Sequence, residues 1–136
     1  SNFLMIKYYA LIVLFIVLLT ACSDSVNTDV KLSTYRTEVS HYCKLHSLEY
    51  WKSIGKLDAL NKMDPYEKAN TFSRTFRESI KTPEMQEIIL NQGQHINLRA
   101  YYAFLQKNIP VLTQEPFECP AIAAFYSSNS AIFPTP

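Results

Sequence analysis

The scarcity of glycine restricts the fold of this chain more than any other feature, since 136 residues include only 2 glycines. Glycine tolerates positive φ without steric cost, so few positions suit the many tight turns of an all-β fold. The scarcity also argues against a glycine-rich loop that cradles a phosphate. No stretch sustains the alternation of apolar and polar residues that marks a half-buried strand. The sequence therefore predicts one all-α domain of four to five short helices in a compact bundle.

The N-terminal region carries a short apolar run. Counted from Met5, the basic residue Lys7 is followed by 12 apolar and aromatic residues at positions 8–19. A membrane-spanning helix needs roughly 20 apolar residues, whereas a signal peptide needs about 7–15. The run therefore favours a signal peptide, and residues 1–4 are either upstream chain or a cloning remnant. The alternative is an ordinary membrane anchor or a buried helix.

The run ends in Leu19-Thr20-Ala21-Cys22, which resembles the lipobox of bacterial lipoproteins. The resemblance covers residues 5–22. It implies that the thiol of Cys22 is acylated, that the peptide is cut before Cys22 and that the new amino terminus is acylated. By analogy with enterobacterial lipoproteins, Ser23 after the cysteine favours the outer membrane, with the domain facing the periplasm.

These features divide the chain into four parts. We predict a signal peptide over residues 1–21, a lipidated tether over 22–31, a helical domain over 32–126 and a loose tail over 127–136. Cleavage before Cys22 leaves 12 basic and 12 acidic residues. A neutral domain lacks the positive charge typical of nucleic-acid-binding proteins, so we expect no nucleic-acid partner.

The first helix of the domain is predicted from apolar residues at spacings of three and four. They are Leu32, Tyr35, Val39, Tyr42, Cys43, His46, Tyr50, Ile54 and Leu57. This pattern predicts one long helix over residues 34–54, with Gly55 as its end or as an interruption.

The second helix has the clearest start signal. Asp64 is a good N-cap, Pro65 suits the first helical position and Glu67 completes a capping box. The apolar stripe of this helix consists of Ala69, Phe72, Phe76 and Ile80.

Three shorter helices are predicted after it. The third starts at Thr82-Pro83 and ends at Gly93, which occupies the position of a C′ glycine. The fourth covers residues 97–108 and ends at Ile109-Pro110. After a loop over residues 111–118, Cys119-Pro120 opens a fifth helix that runs to Tyr126.

The domain also resembles a scattered group of small secreted bacterial proteins of unknown function. The shared positions are Cys43 in the first helix, Pro65 at the start of the second, and Cys119-Pro120 at the start of the last. The resemblance supports pairing of the two cysteines and implies no activity.

Cys43 and Cys119 are the cysteines that remain once Cys22 is acylated. In an oxidising compartment an even pair indicates a disulfide. The alternative is a zinc site, in which Cys43 and His46 share a helix face and His95 and Cys119 complete a tetrahedral set.

The other histidines and the aromatic residues favour structural roles. On the apolar stripe, His46 is expected to be a neutral core histidine bonded to a carbonyl or a tyrosine hydroxyl. We expect His41 and His95 at the surface, and Tyr66 and Tyr126 exposed. Trp51 lies about 100° off the main stripe, so it is either packed under a neighbouring helix or presented to a partner.

These observations do not specify a function. We expect no cofactor, and no catalytic motif marks a nucleophile and its base. The favoured hypothesis is a monomeric accessory or adaptor lipoprotein that binds an envelope protein through Trp51 or through Ile132 and Phe133. The runner-up is a binding module for a small apolar or peptide ligand, and an enzyme comes third. A pocket with titratable groups would favour the runner-up or the enzyme, and a flat apolar patch the adaptor.

Overall fold

A computed structural model of the chain describes residues 2–128, and for residues 3, 11 and 13–26 the backbone alone. This part of the chain forms helices joined by short loops and contains no strand, which confirms the all-α prediction. The helices are α1 (Asn2–Lys44), α2 (Leu48–Ser53), α3 (Leu57–Asn61), α4 (Pro65–Ser79), α5 (Pro83–Gln86), α6 (Leu98–Thr113) and α7 (Pro120–Ser128). A π-helical segment (Glu87–Gln92) and a 3₁₀ turn (Gly93–His95) continue α5.

The long helix α1 belongs to two separate compact units, one ending at Ser33 and the other beginning at Thr34. The backbone of residues 22–31, the predicted tether, is helical. No glycine or proline precedes Gly55, so no residue of the tether prevents a helix. Among the residues described, no helix is both long enough and apolar enough to cross a membrane.

The prediction of one helix over residues 34–54 is wrong, because α1 ends at Lys44 and the short helices α2 and α3 follow. At the break between α1 and α2, side chains rather than backbone amides form hydrogen bonds to two of the carbonyls. The Nδ1 atom of His46 lies 2.7 Å from the Tyr42 carbonyl, and Trp51 Nε1 donates to the Leu45 carbonyl at 2.7 Å. These side-chain bonds satisfy carbonyls left without a helical partner.

Gly55 ends α2, as predicted, with a left-handed φ of 74°. The amide of Gly55 donates to the Lys52 carbonyl, and the amide of Lys56 donates to the Trp51 carbonyl. This pair of bonds is the Schellman motif, in which glycine adopts positive φ without strain.

The start of α4 matches its prediction. Asp64 accepts a hydrogen bond from the Glu67 amide at 2.9 Å, and Pro65 is the first helical residue. Phe72 and Phe76 are buried in the core. Local capping and the stripe therefore agree with the packing of this helix.

Two predicted helix ends are wrong. Gly93 has a φ of −61°, so it is not a left-handed C′ residue, and the chain continues through it into the 3₁₀ turn. Pro110 lies inside α6, which runs to Thr113. Ile109 and Thr113 are buried on either side of Pro110, so their packing offsets the hydrogen bond that proline removes.

The last helix begins at Pro120, as predicted, and a disulfide joins it to α1. The Cα atoms of Cys43 and Cys119 are 5.9 Å apart, within the range for a disulfide. Both thiols are used in this bond, so the zinc alternative is wrong. Residues 127 and 128, predicted as loose tail, belong to α7, and the rest of that tail, with Ile132 and Phe133, lies outside the described residues.

Candidate functional site

Helix α4 separates two clefts. Phe72 and Phe76 point into the core, and at about 100° per residue the positions on either side of them fall on opposite flanks of the helix. Ser73 and Arg77 line one cleft, whereas Thr71 and Thr75 line the other.

The same division appears at the C-terminal end of α1, where adjacent residues face different clefts. His41 lines the second cleft, together with Leu45 just after the helix, while Tyr42 lines the first. Successive helical positions are about 100° apart, so the end of α1 contributes to both sites.

The first cleft, which we call the hydroxyl cleft, has a volume of about 610 Å³, within the range of about 300–1,000 Å³ for ligand pockets. It lies between α4, the π-helical segment, α6 and α7. Its central lining residues are Tyr42, Phe76, Ile89, Gly93, Tyr101 and Tyr126.

Three tyrosines supply the polar groups of this cleft. The hydroxyls of Tyr42 and Tyr101 are 2.7 Å apart and hydrogen-bonded, and the hydroxyl of Tyr126, which lines the same cleft, lies 3.4 Å from Nε2 of His46. Burial raises the pKa of Tyr101 to about 12 and the pKa values of Tyr42 and Tyr126 well above their usual range. All three phenols are therefore neutral at physiological pH and act as hydrogen-bond donors and acceptors.

His46 lies beneath the tyrosines, stacked on Phe76 with ring centroids 3.8 Å apart. Desolvation lowers the pKa of His46 to about 4, although its bond to the Tyr42 carbonyl acts in the opposite direction. The imidazole is thus neutral. In the tautomer whose Nδ1–H donates to the Tyr42 carbonyl, Nε2 accepts a hydrogen bond from the Tyr126 hydroxyl at 3.4 Å. Both bonds agree with the prediction of a neutral core histidine.

The π-helical segment forms one wall of the hydroxyl cleft. Ile89, Leu90 and Asn91 belong to this segment and line the cleft. π-Helical turns are rare and are frequently found at functional sites. The wall therefore has a backbone conformation that simple core packing does not require.

Gly93 closes the same wall for a steric reason. A Cβ atom at this position would lie 3.2 Å from the Tyr101 ring and 3.3 Å from the Ile88 carbonyl oxygen. The glycine thus lets the ring of Tyr101 approach the backbone, which brings its hydroxyl to Tyr42.

The mouth of the hydroxyl cleft is polar. Arg77 donates weakly to Ser73 at 3.5 Å, and Asn91 donates to Glu87 at 2.6 Å. Gln94, which is exposed, also lines the cleft. The site therefore combines an apolar aromatic interior with guanidinium, amide and hydroxyl groups at its edge.

The predicted partner-binding residue Trp51 is buried, with 5% of its surface exposed. Its indole packs against Phe72, with ring centroids 5.5 Å apart, and its N–H is bonded to the Leu45 carbonyl. The structure thus supports packing under a neighbouring helix, and Trp51 provides no exposed patch for a partner. The side chain of Cys22 lies outside the described residues.

Other predicted positions agree with the structure except for one tyrosine. His41, His95 and Tyr66 are exposed, as expected. Tyr126, expected to be exposed as well, is partly buried and lines the hydroxyl cleft. Its role could not be inferred from α7 alone because its partner His46 lies 80 residues earlier.

Within the described part of the chain, no group of three or more His, Cys, Asp or Glu side chains could hold a metal ion. Comparison with family models, with curated proteins and with solved structures finds no match for this chain.

Proposed function

We propose that this protein is a binding module whose hydroxyl cleft takes a short, uncharged peptide segment. The observation that carries the proposal is the neutral triad of Tyr42, Tyr101 and Tyr126 inside a cleft of about 610 Å³. Polar groups that converge on an apolar wall inside a cleft of this size are typical of a ligand site.

The chemistry of the cleft favours a peptide. Phe76, Ile89 and the tyrosine rings form an apolar interior for one aliphatic or aromatic side chain. Asn91 and Gln94 carry amides at the mouth, and a peptide backbone offers both donors and acceptors to such groups. Because the buried phenols and His46 are neutral, a charged side chain would lose its hydration without a counter-charge in the interior.

We further propose that the module is a lipoprotein anchored through Cys22. The support is the resemblance of residues 5–22 to a signal peptide with a lipobox. Two or more acyl chains would hold the domain stably at a membrane. On this proposal the domain samples ligands in the envelope, close to the outer membrane.

The anchor has its own test. Substitution of Cys22→Ala should block acylation and leave an uncut or differently cut precursor, whereas Ser25→Ala should leave processing unchanged. Membrane fractionation and the intact mass of the product measure both outcomes. Normal mature mass and normal membrane association of the Cys22→Ala protein would refute the lipoprotein proposal.

The adaptor hypothesis stays a prediction. It rested on Trp51 and on Ile132 and Phe133, and Trp51 is buried. The hydroxyl cleft is lined by titratable groups, an observation that favours a binding module or an enzyme over an adaptor.

The peptide proposal is tested by calorimetric titration of the full chain in phosphatidylcholine nanodiscs. The probes are N-acetylated, C-amidated tripeptides with a central Leu, Phe, Glu or Lys between alanines. We expect the Leu and Phe peptides to bind at least tenfold more tightly than the charged ones, because an unpaired buried charge is costly.

Two variants locate the binding. Asn91→Phe places a ring at the lining of the hydroxyl cleft and should abolish binding of the Leu peptide. Gln106→Phe introduces the same ring at an exposed position of α6 that does not line the cleft, and should leave binding unchanged. Equal affinity for all four peptides, or binding that survives Asn91→Phe, would contradict the proposal.

A further inference from the structure

The second cleft, on the opposite flank of α4, differs in chemistry from the first. We call it the cationic cleft, and its volume is about 560 Å³. Its apolar lining includes Leu45, Tyr50, Trp51, Ile54, Leu60 and Met63. Leu45, Trp51 and Leu60 are buried, whereas Ile54 is 42% exposed at the edge. The cleft therefore offers an apolar wall that reaches solvent.

Three of the polar side chains of this wall, Trp51, Thr71 and Thr75, already donate hydrogen bonds within the protein. The indole N–H of Trp51 donates to the Leu45 carbonyl. Thr71 donates to the Glu67 carbonyl and Thr75 to the Thr71 carbonyl, both within α4. A ligand in contact with these residues needs no hydrogen bonds to them, so a hydrocarbon chain is compatible with the wall.

Two cationic side chains line the cleft. Lys56 and Arg74 are both exposed, and none of the lining residues is acidic. Among the residues that the structure describes, neither Lys56 nor Arg74 forms an ion pair. A ligand with an apolar body and an anionic end would complement both the wall and the charges.

We propose that the cationic cleft binds a free medium-chain fatty carboxylate, with its chain against Trp51, Leu60 and Met63 and its carboxylate between Lys56 and Arg74. The flexible thioether of Met63 adapts to chains of different length. This site is independent of the hydroxyl cleft, because the two lie on opposite flanks of α4.

Trp51 provides a direct probe, since it is the only tryptophan of the chain and it lines this cleft. The full chain is placed in phosphatidylcholine nanodiscs whose scaffold protein lacks tryptophan, and 12-bromododecanoate is added. A bromine atom in contact with the indole quenches its fluorescence. We expect saturable quenching, and unbrominated carboxylates should compete roughly tenfold more strongly for each two added methylenes.

The contribution of Lys56 and Arg74 to binding is tested separately from that of the apolar wall. The double variant Lys56→Gln/Arg74→Gln should weaken dodecanoate binding roughly tenfold and leave the weaker binding of dodecanol unchanged. Its matched control is Arg99→Gln/Lys107→Gln, at exposed positions of α6 outside both clefts, which should bind like the original chain. Ala59→Phe, which fills the cleft from α3, should abolish binding of both probes.

Three results would overturn the proposal. The first is equal affinity of dodecanoate for the double variant and the original chain. The second is equal or tighter binding of dodecyltrimethylammonium. The third is quenching by brominated phosphatidylglycerol in the nanodisc without quenching by the free bromododecanoate, which would assign the cleft to a membrane surface. Each result concerns Trp51 and leaves the peptide test at the hydroxyl cleft unaffected.

Discussion

The hydroxyl cleft and the cationic cleft share α4 and the end of α1, yet they offer different chemistry. On one flank the neighbouring helices α6 and α7 insert Tyr101, whose hydroxyl bonds to Tyr42, and Tyr126, whose hydroxyl faces His46. On the other, α2 and α3 insert Trp51 and Leu60, which add no free polar group. An amphipathic helix thus fixes where a site lies, whereas the helices packed beside it determine what the site can bind.

The largest expected effect comes from removing the disulfide, which fastens α7 and hence Tyr126 to α1. Its two cysteines are 76 residues apart, and the chain-entropy model gives an upper value of about 4–5 kcal/mol for closing such a loop. The Cys43→Ala/Cys119→Ala variant should lose free energy of unfolding up to that value, as measured by urea denaturation. A change below about 1 kcal/mol would contradict this role of the bond.

The second largest effect is expected from acid, which should lower the free energy of unfolding through His46 beneath the hydroxyl cleft. The pKa of His46 is about 4 in the folded protein and near 6.5 when unfolded. Above pH 6.5 the neutral form of His46 makes its full contribution to the free energy of unfolding. This contribution falls as the pH drops from 6.5 to 4. Between pH 7 and 4 we expect a loss of about 3 kcal/mol from this residue.

Denaturation at a series of pH values checks this expectation. His46→Phe should remove most of the pH dependence in this window, whereas His95→Gln, at an exposed histidine, should retain it. If the two variants show the same pH profile, buried His46 is not the source of the acid sensitivity.

Removal of a single hydroxyl should affect the hydroxyl cleft alone, with a smaller loss of free energy of unfolding. Tyr101→Phe removes the 2.7 Å bond to the buried Tyr42 hydroxyl and should lower the free energy of unfolding by about 1–2 kcal/mol. It should also weaken peptide binding and leave bromododecanoate quenching of Trp51 unchanged. Tyr66→Phe, at an exposed tyrosine, is the matched control with no expected effect on either measurement.

The N-cap of α4 should stabilise the helix as a whole and should therefore not distinguish the two clefts. Asp64→Ala removes the acceptor of the Glu67 amide and should lower the free energy of unfolding by about 1 kcal/mol. Asp58→Ala, in the first turn of α3, should change it less. An Asp64→Ala variant as stable as the original chain would show that the cap does not stabilise this helix.

The sequence predicts α4 well and the sites poorly, for physical reasons. The cap at Asp64 and the stripe of Phe72 and Phe76 are local signals, and they determine the start and the buried face of that helix. The break after Lys44 depends instead on His46 and Trp51 binding backbone carbonyls. Periodicity alone does not reveal such side-chain bonds.

The hydroxyl cleft was not predictable from neighbouring residues. Tyr42 and Tyr101 are 59 residues apart, and only the packing of α6 against α1 brings their hydroxyls together. Pro110 indicates a helix end in the sequence, although burial of Ile109 and Thr113 keeps the helix intact. The disulfide was predictable because the resemblance to a lipobox assigns Cys22 to acylation and leaves a single pair of cysteines.

The most direct test of the central claim uses the two glycines of the chain. Gly93 lines the hydroxyl cleft, and Gly55 lies between Ile54 and Lys56 of the cationic cleft, so a ¹⁵N-glycine-labelled chain gives one NMR signal for each side. The tripeptide with a central Leu should shift the Gly93 signal in a saturable manner and leave Gly55 in place. A stationary Gly93 signal, or equal shifts of both signals, would contradict the peptide site in the hydroxyl cleft.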